Sequence, residues 1–418
     1  MTIKDLRGKK LALAASGGLD SCTVTRWMAD QGVDVVSITA DIGQPDEENV
    51  EDILERMRAC GASEAVLIDL KDELVEEAYV MLAAGATYEG GYWNTTGIAR
   101  HVTTRGILKE MSARGIQALA HGATGRGNDQ VRFQLVANML DPSVQVYAPW
   151  RDDAFLEHFG GRREMIAFCQ AKGLPIRATQ DKPYSTDANL LGLTHEAGKL
   201  EHLDVAADFV DAEMGAFPRQ SPDEAEGFAV ELVKGVPIRV NDQAVDPTQA
   251  LVLANEIGGR HGVGIGIHTV ENRFVGIKSR GVYESPGMSL LGECYELLLQ
   301  QVLDRRARRF YDSVSAALAE QIYQGYYYDL GSLMMRRALS PVVELLTGTV
   351  TVSVYKGTVL YQSSSGVTHS LYSPEISSME AIGDYDHRDS EGFLNVLSVG
   401  AKANHAAGLI EGRLLKDI

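Results

Sequence analysis

Ser16-Gly17-Gly18-Leu19-Asp20-Ser21 packs two hydroxyls, two glycines and a carboxylate into one short string. An apolar run from Leu11 stops just before it, and Val24, Trp27 and Met28 recur at helical spacing just after it. That order reads as a buried strand, a tight glycine turn and the first turn of an amphipathic helix. A helix start presents unpaired N–H groups and a positive dipole end, so it favours an anion. Gly17 and Gly18 let the main chain approach the anion, and Ser16 and Ser21 add hydroxyl donors. The P-loop pattern G-x-x-x-x-G-K-[ST] does not occur. Cys22 lies in the same first helical turn, a setting that lowers a thiol pKa, so a bound phosphate is expected to shield it from alkylation. A second strand–glycine loop–helix pattern runs from His121-Gly122 through Thr124, Asn128 and Asp129 to Arg132-Phe133. Asn128 or Asp129 suits the helix cap, and Asn128 and Arg132 share a face at its first turn. An amide, free N–H groups and an arginine can receive a carboxylate; a capped helix with a solvated arginine is the plainer reading of the same residues.

These two turns need a scaffold that brings them together. Helix 19–31 closed by Gly32, strand 33–40, helix 46–60, strand 65–70 and helix 71–84 follow the first turn. Such β-α-β-α-β alternation predicts a doubly wound parallel sheet, with ligands beyond the carboxyl ends of its strands. Residues 85–100 interrupt the pattern with glycines, aromatics and hydroxyls, which suggests either a loop folded over something or a packed surface loop. A helix at 98–113, strands at 117–121 and 144–148, and a helical region at 154–172 broken at Gly160-Gly161 complete the first domain.

Beyond it, residues 184–198 read as a functional loop and 206–227 as an acidic connection. Strands at 229–233 and 236–240 form a hairpin. Helix 248–257 is expected to end at Gly258-Gly259, and a single helix is expected over 289–309. His261 to Gly266 reads as a tight connection, Tyr326-Tyr327-Tyr328 as packing, and 350–354 with 358–362 as a hairpin. The tail 390–412 is amphipathic and then polar, which suggests an arm that packs on another subunit. The fold class expected is α/β: a doubly wound nucleotide-binding domain, 1–172, a second α+β domain, 173–370, and a C-terminal helical arm, 371–418.

The chain of 418 residues carries a formal net charge of −18, from 39 Lys+Arg against 57 Asp+Glu. A large nucleic-acid footprint needs a basic face, so nucleic acid is not an expected partner. No apolar run approaches the ~20 residues of a membrane span, and the first ten residues lack an apolar signal core. The four cysteines include no C-x-x-C pair, and His195-Glu196 has no second histidine to complete a metal motif. A cytoplasmic enzyme is the expectation, with no residue assigned to a metal.

Ser-Gly-Gly-Leu-Asp-Ser resembles the pyrophosphate-binding loop of ATP pyrophosphatases. With Thr-Ala-Asp-Ile-Gly-Gln at 39–44, Gly-Asn-Asp-Gln-Val-Arg-Phe at 127–133, Tyr-Ser-Thr-Asp-Ala-Asn-Leu-Leu-Gly at 184–192, Thr-His-Glu-Ala-Gly at 194–198 and the block Val270 to Gly287, the chain resembles the argininosuccinate synthase family. The first block is shared by several ATP pyrophosphatases; the later ones are specific to this family. The resemblance implies ligation of citrulline to aspartate through a citrulline adenylate, with ATP and Mg²⁺, in a homotetramer. It implies ATP contacts at Ala14, Ala15, Ser16, Gly17, Gly18, Leu19, Asp20, Ser21, Cys22, Ala40, Gly122, Thr124, Asp129 and Asp187. Aspartate would meet Thr124, Asn128 and Asp129. Citrulline would meet Tyr92, Asn128, Arg132, Ser185, Thr194, Glu196, Glu271 and Tyr283. Asn128, Asp129, Arg132 and Ser185 would position substrates rather than act as nucleophiles. Three residues depart from the family pattern. Cys22 replaces a usual serine, Thr194 replaces a serine in some members, and Gly97 stands where some members use a serine on citrulline. Two rivals share the first loop. A tRNA-thiolating or amidotransferase-type enzyme is disfavoured by Thr2, the scattered cysteines and the charge. A nucleotide sensor without turnover is favoured only by Cys22.

Overall fold

The computed structural model describes the chain except residues 46–48, 126, 177–183, 379, 381–385 and 410–418. Strands β1 (Lys10–Ala14), β2 (Asp34–Asp41), β3 (Glu64–Asp69), β4 (Ala118–His121) and β5 (Gln145–Tyr147) form one sheet in the order β3-β2-β1-β4-β5. All its ladders are parallel. Parallel neighbours need crossover connections, supplied here by α1 (Leu19–Asp30), α2 (Glu51–Ala59), α3 (Lys71–Ala83), α4 (Thr95–Arg114) and α5 (Asp129–Leu140). The expected start of the second helix at 46 lies outside the described residues. Two further helices, α6 (Asp153–Leu156) and α7 (Arg162–Ala171), follow β5 with the break at Gly160-Gly161.

Side-chain alternation along β1 decides which helices cover which face. Leu11 and Leu13 pack with Trp27 and Met28 of α1, Met57 of α2 and Ile166 of α7. Ala12 points the other way and packs with Ile107 and Met111 of α4 and Ala137 of α5. The sheet is therefore doubly wound. Its strand order reverses between β1 and β4, which is where such sheets open a ligand crevice. Ala14 lies in register with His121, so Ser16 and Gly122 leave the sheet side by side.

The second half adds β6 (Ser185–Asn189), β7 (Gly192–Glu196), β8 (Glu226–Val233), β9 (Val236–Val240), β10 (Gln243–Ala244), α8 (Pro247–Arg260), β11 (Ile265–Asn272), β12 (Lys278–Glu284), α9 (Pro286–Val302), α10 (Arg305–Gln324), α11 (Leu330–Val343), β13 (Gly348–Tyr355) and β14 (Thr358–Ser365). They build two antiparallel sheets, β10-β9-β8-β13-β14 and β11-β12-β7-β6. Phe228, Val230, Leu232, Val350, Val352 and Val354 turn one face of the larger sheet onto Leu251 of α8 and Leu298 of α9.

Three expectations are corrected here. Residues 184–198 are mostly an antiparallel hairpin, β6–β7, rather than a loop. Their polar pattern misleads because part of the hairpin faces a polar cavity. Helix α8 runs through Gly258-Gly259 instead of stopping there. A Cβ on Gly258 would lie 2.9 Å from Pro286 O and one on Gly259 2.2 Å from Met214 O, so these glycines permit close packing rather than a stop. The single helix expected over 289–309 is two helices. Asp304 accepts hydrogen bonds from the main-chain N–H groups of Arg306 and Ala307 at 2.7 and 2.9 Å and caps α10.

Met1–His369 form one compact unit and Ser370–Ile418 a second. Within the second, α12 (Pro374–Ser377) precedes α13 (Arg388–Ala406), on which Phe393, Leu394, Val396, Leu397 and Val399 are exposed. Residues 410–412 of the expected tail lie outside the described residues. No described helix is long and apolar enough to cross a membrane.

Candidate active site

A cavity of about 510 Å³ opens at the β1/β4 switch point. It collects residues from every block that the sequence singled out. Ala14, Ala15, Ser16, Gly18, Asp20, Ser21, Ala40, Gly122, Thr124, Asn128, Asp129 and Asp187 line it, as do Tyr92, Arg132, Thr194, Glu196, Glu271 and Tyr283. Gly17, Leu19, Cys22 and Ser185 are not among its lining residues.

The glycine turn forms one end. Gly17 has φ +72°, and a Cβ there would meet Arg56 Nη1 and Ile53 Cγ2, each at 2.8 Å. Arg56 donates from Nη1 to Gly17 O at 2.9 Å and pins the turn from behind. Ser21 Oγ accepts from Ser16 N at 3.1 Å, which brings both hydroxyls to the cavity edge. Among the described residues no side chain caps α1 at Gly18, so its first N–H groups stay available to an anion. Gly122 lets β4 end against α1, since a Cβ there would stand 3.3 Å from Asp20 Cβ. Burial raises the pKa of Asp20, whose Oδ1 accepts from Trp150 Nε1 at 3.2 Å.

Leu19 and Cys22 sit on the buried side of α1, packed in the core. The expectation of an activated Cys22 is overturned. Its thiol donates to Gly17 O at 3.6 Å, and its N–H is used within the helix, on Gly18 O at 3.0 Å. The hydrogen-bonded Cys60 thiol and burial push the Cys22 pKa up. Folded protein is expected to react slowly with iodoacetamide at Cys22, at the same rate with and without ATP. Mass-spectrometric labelling checks this, and suppression by ATP contradicts the buried placement.

The other end is a network of charges. Arg100 donates from Nε to Asp129 Oδ2 at 2.9 Å and from Nη2 to Asp187 Oδ2 at 2.6 Å. Arg132 donates from Nη1 to Asp129 Oδ1 at 2.9 Å, and from Nε and Nη2 to Tyr323 O at 2.9 and 2.8 Å. Burial alone would raise the Asp129 pKa, but Arg100 and Arg132 hold it down at about 2. Asn128 occupies the cap position of α5 without capping it. Its Oδ1 accepts instead from Phe274 N at 3.0 Å, on the β11–β12 turn.

Two carboxylates complete this end. Glu271 accepts from Tyr283 OH at 2.8 Å, and Tyr283 stacks on Tyr92 with ring centroids 4.0 Å apart. Tyr92 belongs to the glycine-rich segment that interrupts the α/β pattern, so that segment does reach the cavity. Glu196 pairs with Arg273 at 3.0 Å, and burial raises its pKa. Thr194 Oγ1 lies 3.1 Å from Thr96 Oγ1. Ser185 is exposed, opposite Glu196 in the β6–β7 ladder and one pleat before Asp187. At Gly97 a Cβ would lie 3.4 Å from Ile322 O and 3.6 Å from Arg132 Nη2, so α4 packs closely where a longer side chain would crowd both.

Arg100, Arg273 and Tyr323 also line the cavity, and sequence reasoning assigned none of them a role. Arg273 lay inside a quoted block. Arg100 lay in a stretch legible only as helix, where no spacing distinguishes it from a solvated arginine.

A switch-point cavity with a glycine turn at one end and paired arginines and carboxylates at the other defines a nucleotide-binding α/β enzyme that handles charged small substrates. Residues 10–175 match the model for the "Arginosuccinate synthase N-terminal HUP domain", and residues 184–404 that for the "Arginosuccinate synthase C-terminal domain". The chain is 41% identical over 390 residues to the argininosuccinate synthase of Rhodopirellula baltica, covering 93% of this chain and 96% of that protein. It is 37% identical over 405 residues to that of Thermotoga maritima, covering 95% and 97%, and 37% over 395 residues to that of Danio rerio, covering 93% and 94%. The chain belongs to the argininosuccinate synthase family.

Proposed function

We propose that this chain ligates citrulline and aspartate to argininosuccinate, using ATP and releasing AMP and pyrophosphate. The observation that carries the reading is the single cavity shared by the glycine turn, the Asn128–Arg132 face and the carboxylates Glu196 and Glu271. The first N–H groups of α1, with Ser16 and Ser21, suit the β and γ phosphates, and the apolar Ile38 and Ala40 suit the adenine. Glu196 and Glu271 suit the α-ammonium of citrulline and Arg132 its carboxylate. Asn128 spends its Oδ1 on Phe274 N–H, which leaves its amide nitrogen to donate to the neutral ureido oxygen. Thr124, Asn128 and Asp129 would receive aspartate. Exposed Ser185 fits a direct substrate contact less well than these.

The ureido oxygen is a poor leaving group until it is activated. Its attack on the α-phosphorus forms an O–P bond and expels pyrophosphate. The neutral amine of aspartate then adds to the ureido carbon, and the C–O bond breaks to release AMP. The protein positions the reactants and neutralises charge, so no nucleophile of its own is required. Citrulline carrying ¹⁸O in its ureido group is expected to yield AMP with one label. Unlabelled AMP with argininosuccinate still formed rejects direct attack. Pyrophosphate release with citrulline, aspartate or ATP omitted in turn tests the identity of the reaction itself.

No cluster of three metal-ligating side chains occurs among the described residues. Asp20, a half-buried carboxylate beside the glycine turn, fits a Mg²⁺ held mainly by phosphate oxygens. When bound, Mg²⁺ supplies charge neutralisation on the departing pyrophosphate. Gly17→Ala is expected to raise the KM for ATP about tenfold or more, since strain and the collision with Arg56 and Ile53 together cost roughly 1–3 kcal/mol. An ATP KM within twofold of the parent would show that the turn absorbs a side chain.

The sensor alternative loses its support, because Cys22 lies in the core rather than on the phosphates. We divide the chain into an ATP-binding domain, 1–172, a synthetase domain, 173–370, and an oligomerisation arm, 371–418. The exposed apolar residues of α13 support a homotetramer, and light scattering at four times the chain mass checks it. Four free, buried cysteines suit the reducing cytoplasm.

A further inference from the structure

The base end of the cavity is lined by Ile38, Ala40, Ile42, Gln44 and Thr103. Strand β2 continues to Asp41, whereas its pairing with β1 ends at Ile38, so its last residues form an open wall of the crevice. Thr96, Arg100, Thr103 and Ile107 recur at helical spacing and share one stripe of α4. The first three line the cavity, while Ile107 packs in the core with Ile38. Thr103 therefore sits where the cavity meets that core. It is 8% exposed, and among the described residues its Oγ1 has no hydrogen-bond partner. The neighbouring Thr104 shows the usual alternative, donating from Oγ1 to Arg100 O at 2.7 Å. Gln44 spends its amide on its own turn. Its Nε2 donates to Ala40 O at 2.8 Å, and its Oε1 accepts from Ile42 N at 3.0 Å. A buried hydroxyl without a partner is costly to the fold, and valine has the same shape without that cost.

From this placement we infer that Thr103 is a base-selecting residue, whose hydroxyl accepts a hydrogen bond from the 6-amino group of adenine. The inference rests on the ATP reading above and adds to it the group that selects the base. Ile38, Ala40 and Ile42 offer apolar contact to the ring, which any purine would accept. An exocyclic amine needs an acceptor, and a hydroxyl oxygen supplies one. A helical threonine has two accessible χ1 wells, so the oxygen can turn to the base while α4 stays in place. A purine without that amine leaves the hydroxyl unpaired and gains nothing from it.

The test uses the full chain, its Thr103→Val and Thr103→Ser variants, and two nucleotides: ATP and purine riboside triphosphate, which lacks the 6-amino group. Pyrophosphate release with citrulline and aspartate gives kcat/KM for each. Thr103→Val is expected to lower kcat/KM for ATP about fivefold and to leave that for purine riboside triphosphate within about twofold, so the preference for ATP narrows. Thr103→Ser should keep most of the parent's preference, because it keeps the hydroxyl. The urea midpoint of Thr103→Val should equal or exceed the parent's, since the empty protein loses no hydrogen bond. A merely structural hydroxyl would lower that midpoint and act on both nucleotides alike. An unchanged preference in Thr103→Val, or a midpoint below the parent's, overturns the inference. Citrulline-dependent exchange of pyrophosphate into ATP, measured on the parent without aspartate, separates the two levels. With exchange present, an unchanged preference overturns the role of Thr103 alone; without exchange, the ATP reading of the cavity fails with it.

Discussion

Arg100→Gln is expected to lower kcat/KM by about a hundredfold, a loss of roughly 2–3 kcal/mol for removing the shared partner of two half-buried carboxylates. Arg100 is the common partner of Asp129 and Asp187, which come from α5 and β6. Without it, Asp187 loses its guanidinium and Asp129 keeps only Arg132. Two carboxylates would then face the cavity with less positive charge between them, and the pKa of Asp129 would rise from about 2. Arg100→Lys should recover only part of the activity, because an ammonium cannot reproduce the planar fork that spans two carboxylates. Steady-state pyrophosphate release measures the effect, and urea unfolding separates it from loss of fold. In an Asp129→Asn background the same substitution should cost less, since one stranded charge is already gone. A kcat/KM within tenfold of the parent would show that the network only ties α4 to α5.

Folding stability is expected to fall steeply as pH drops below 6.5, by about 1.4 kcal/mol per pH unit for each histidine that is buried neutral. Burial pushes the pKa of His101 down to about 4 and that of His121 down to about 3. The unfolded chain binds a proton at each ring near pH 6.5, whereas the folded protein does not until it reaches those lower values. Between these limits the unfolded state holds more protons, so acid favours unfolding. Asp129, with its pKa lowered from 3.8 to about 2, loses its contribution mostly between those two values, below the pH 4 to 6.5 window in which the histidines are compared. Glu196, raised by burial, acts with the opposite sign, so a comparison of parent and variant isolates the histidine. His121 is the cleaner test. It stacks on Phe133 at 5.1 Å, and among the described residues neither ring nitrogen has a hydrogen-bond partner. His121→Leu should therefore flatten the stability–pH curve by about one proton between pH 4 and 6.5, with little loss at pH 7. Urea midpoints across that range give the slope, and parallel curves for parent and variant contradict a neutral His121.

The local order of this protein was written in short stretches of its sequence. The apolar run that stops at Ser16, the glycines that follow and the periodicity of Val24, Trp27 and Met28 were enough to place a strand, a turn and a helix. The repetition of that unit implied the parallel sheet, and the blocks from Ser16 to Gly287 implied the family. Each signal depends on neighbours within about a turn of helix or a few strand residues, where propensity and side-chain period act. What lay beyond was decided by packing. Cys22 and Ser21 are adjacent in the chain, yet one enters the core and the other lines the cavity, because a single helical step of about 100° separates their directions. Gly258-Gly259 read as a stop until the close approach of Pro286 and Met214 gave them another use. Arg100 carried no local mark, and Arg273 was marked only by the block in which it lies. Arg100 finds Asp187 across 87 residues only once the helices of the parallel sheet and the β6–β7–β12–β11 sheet enclose the same space, and Arg273 finds Glu196 across 77 only once β12 pairs with β7. The sequence by itself determined the elements of the first domain, the family and most of the cavity's lining. The tertiary structure alone decided which charges compensate one another inside it, because Coulomb attraction depends on distance in space and leaves no periodicity along the chain.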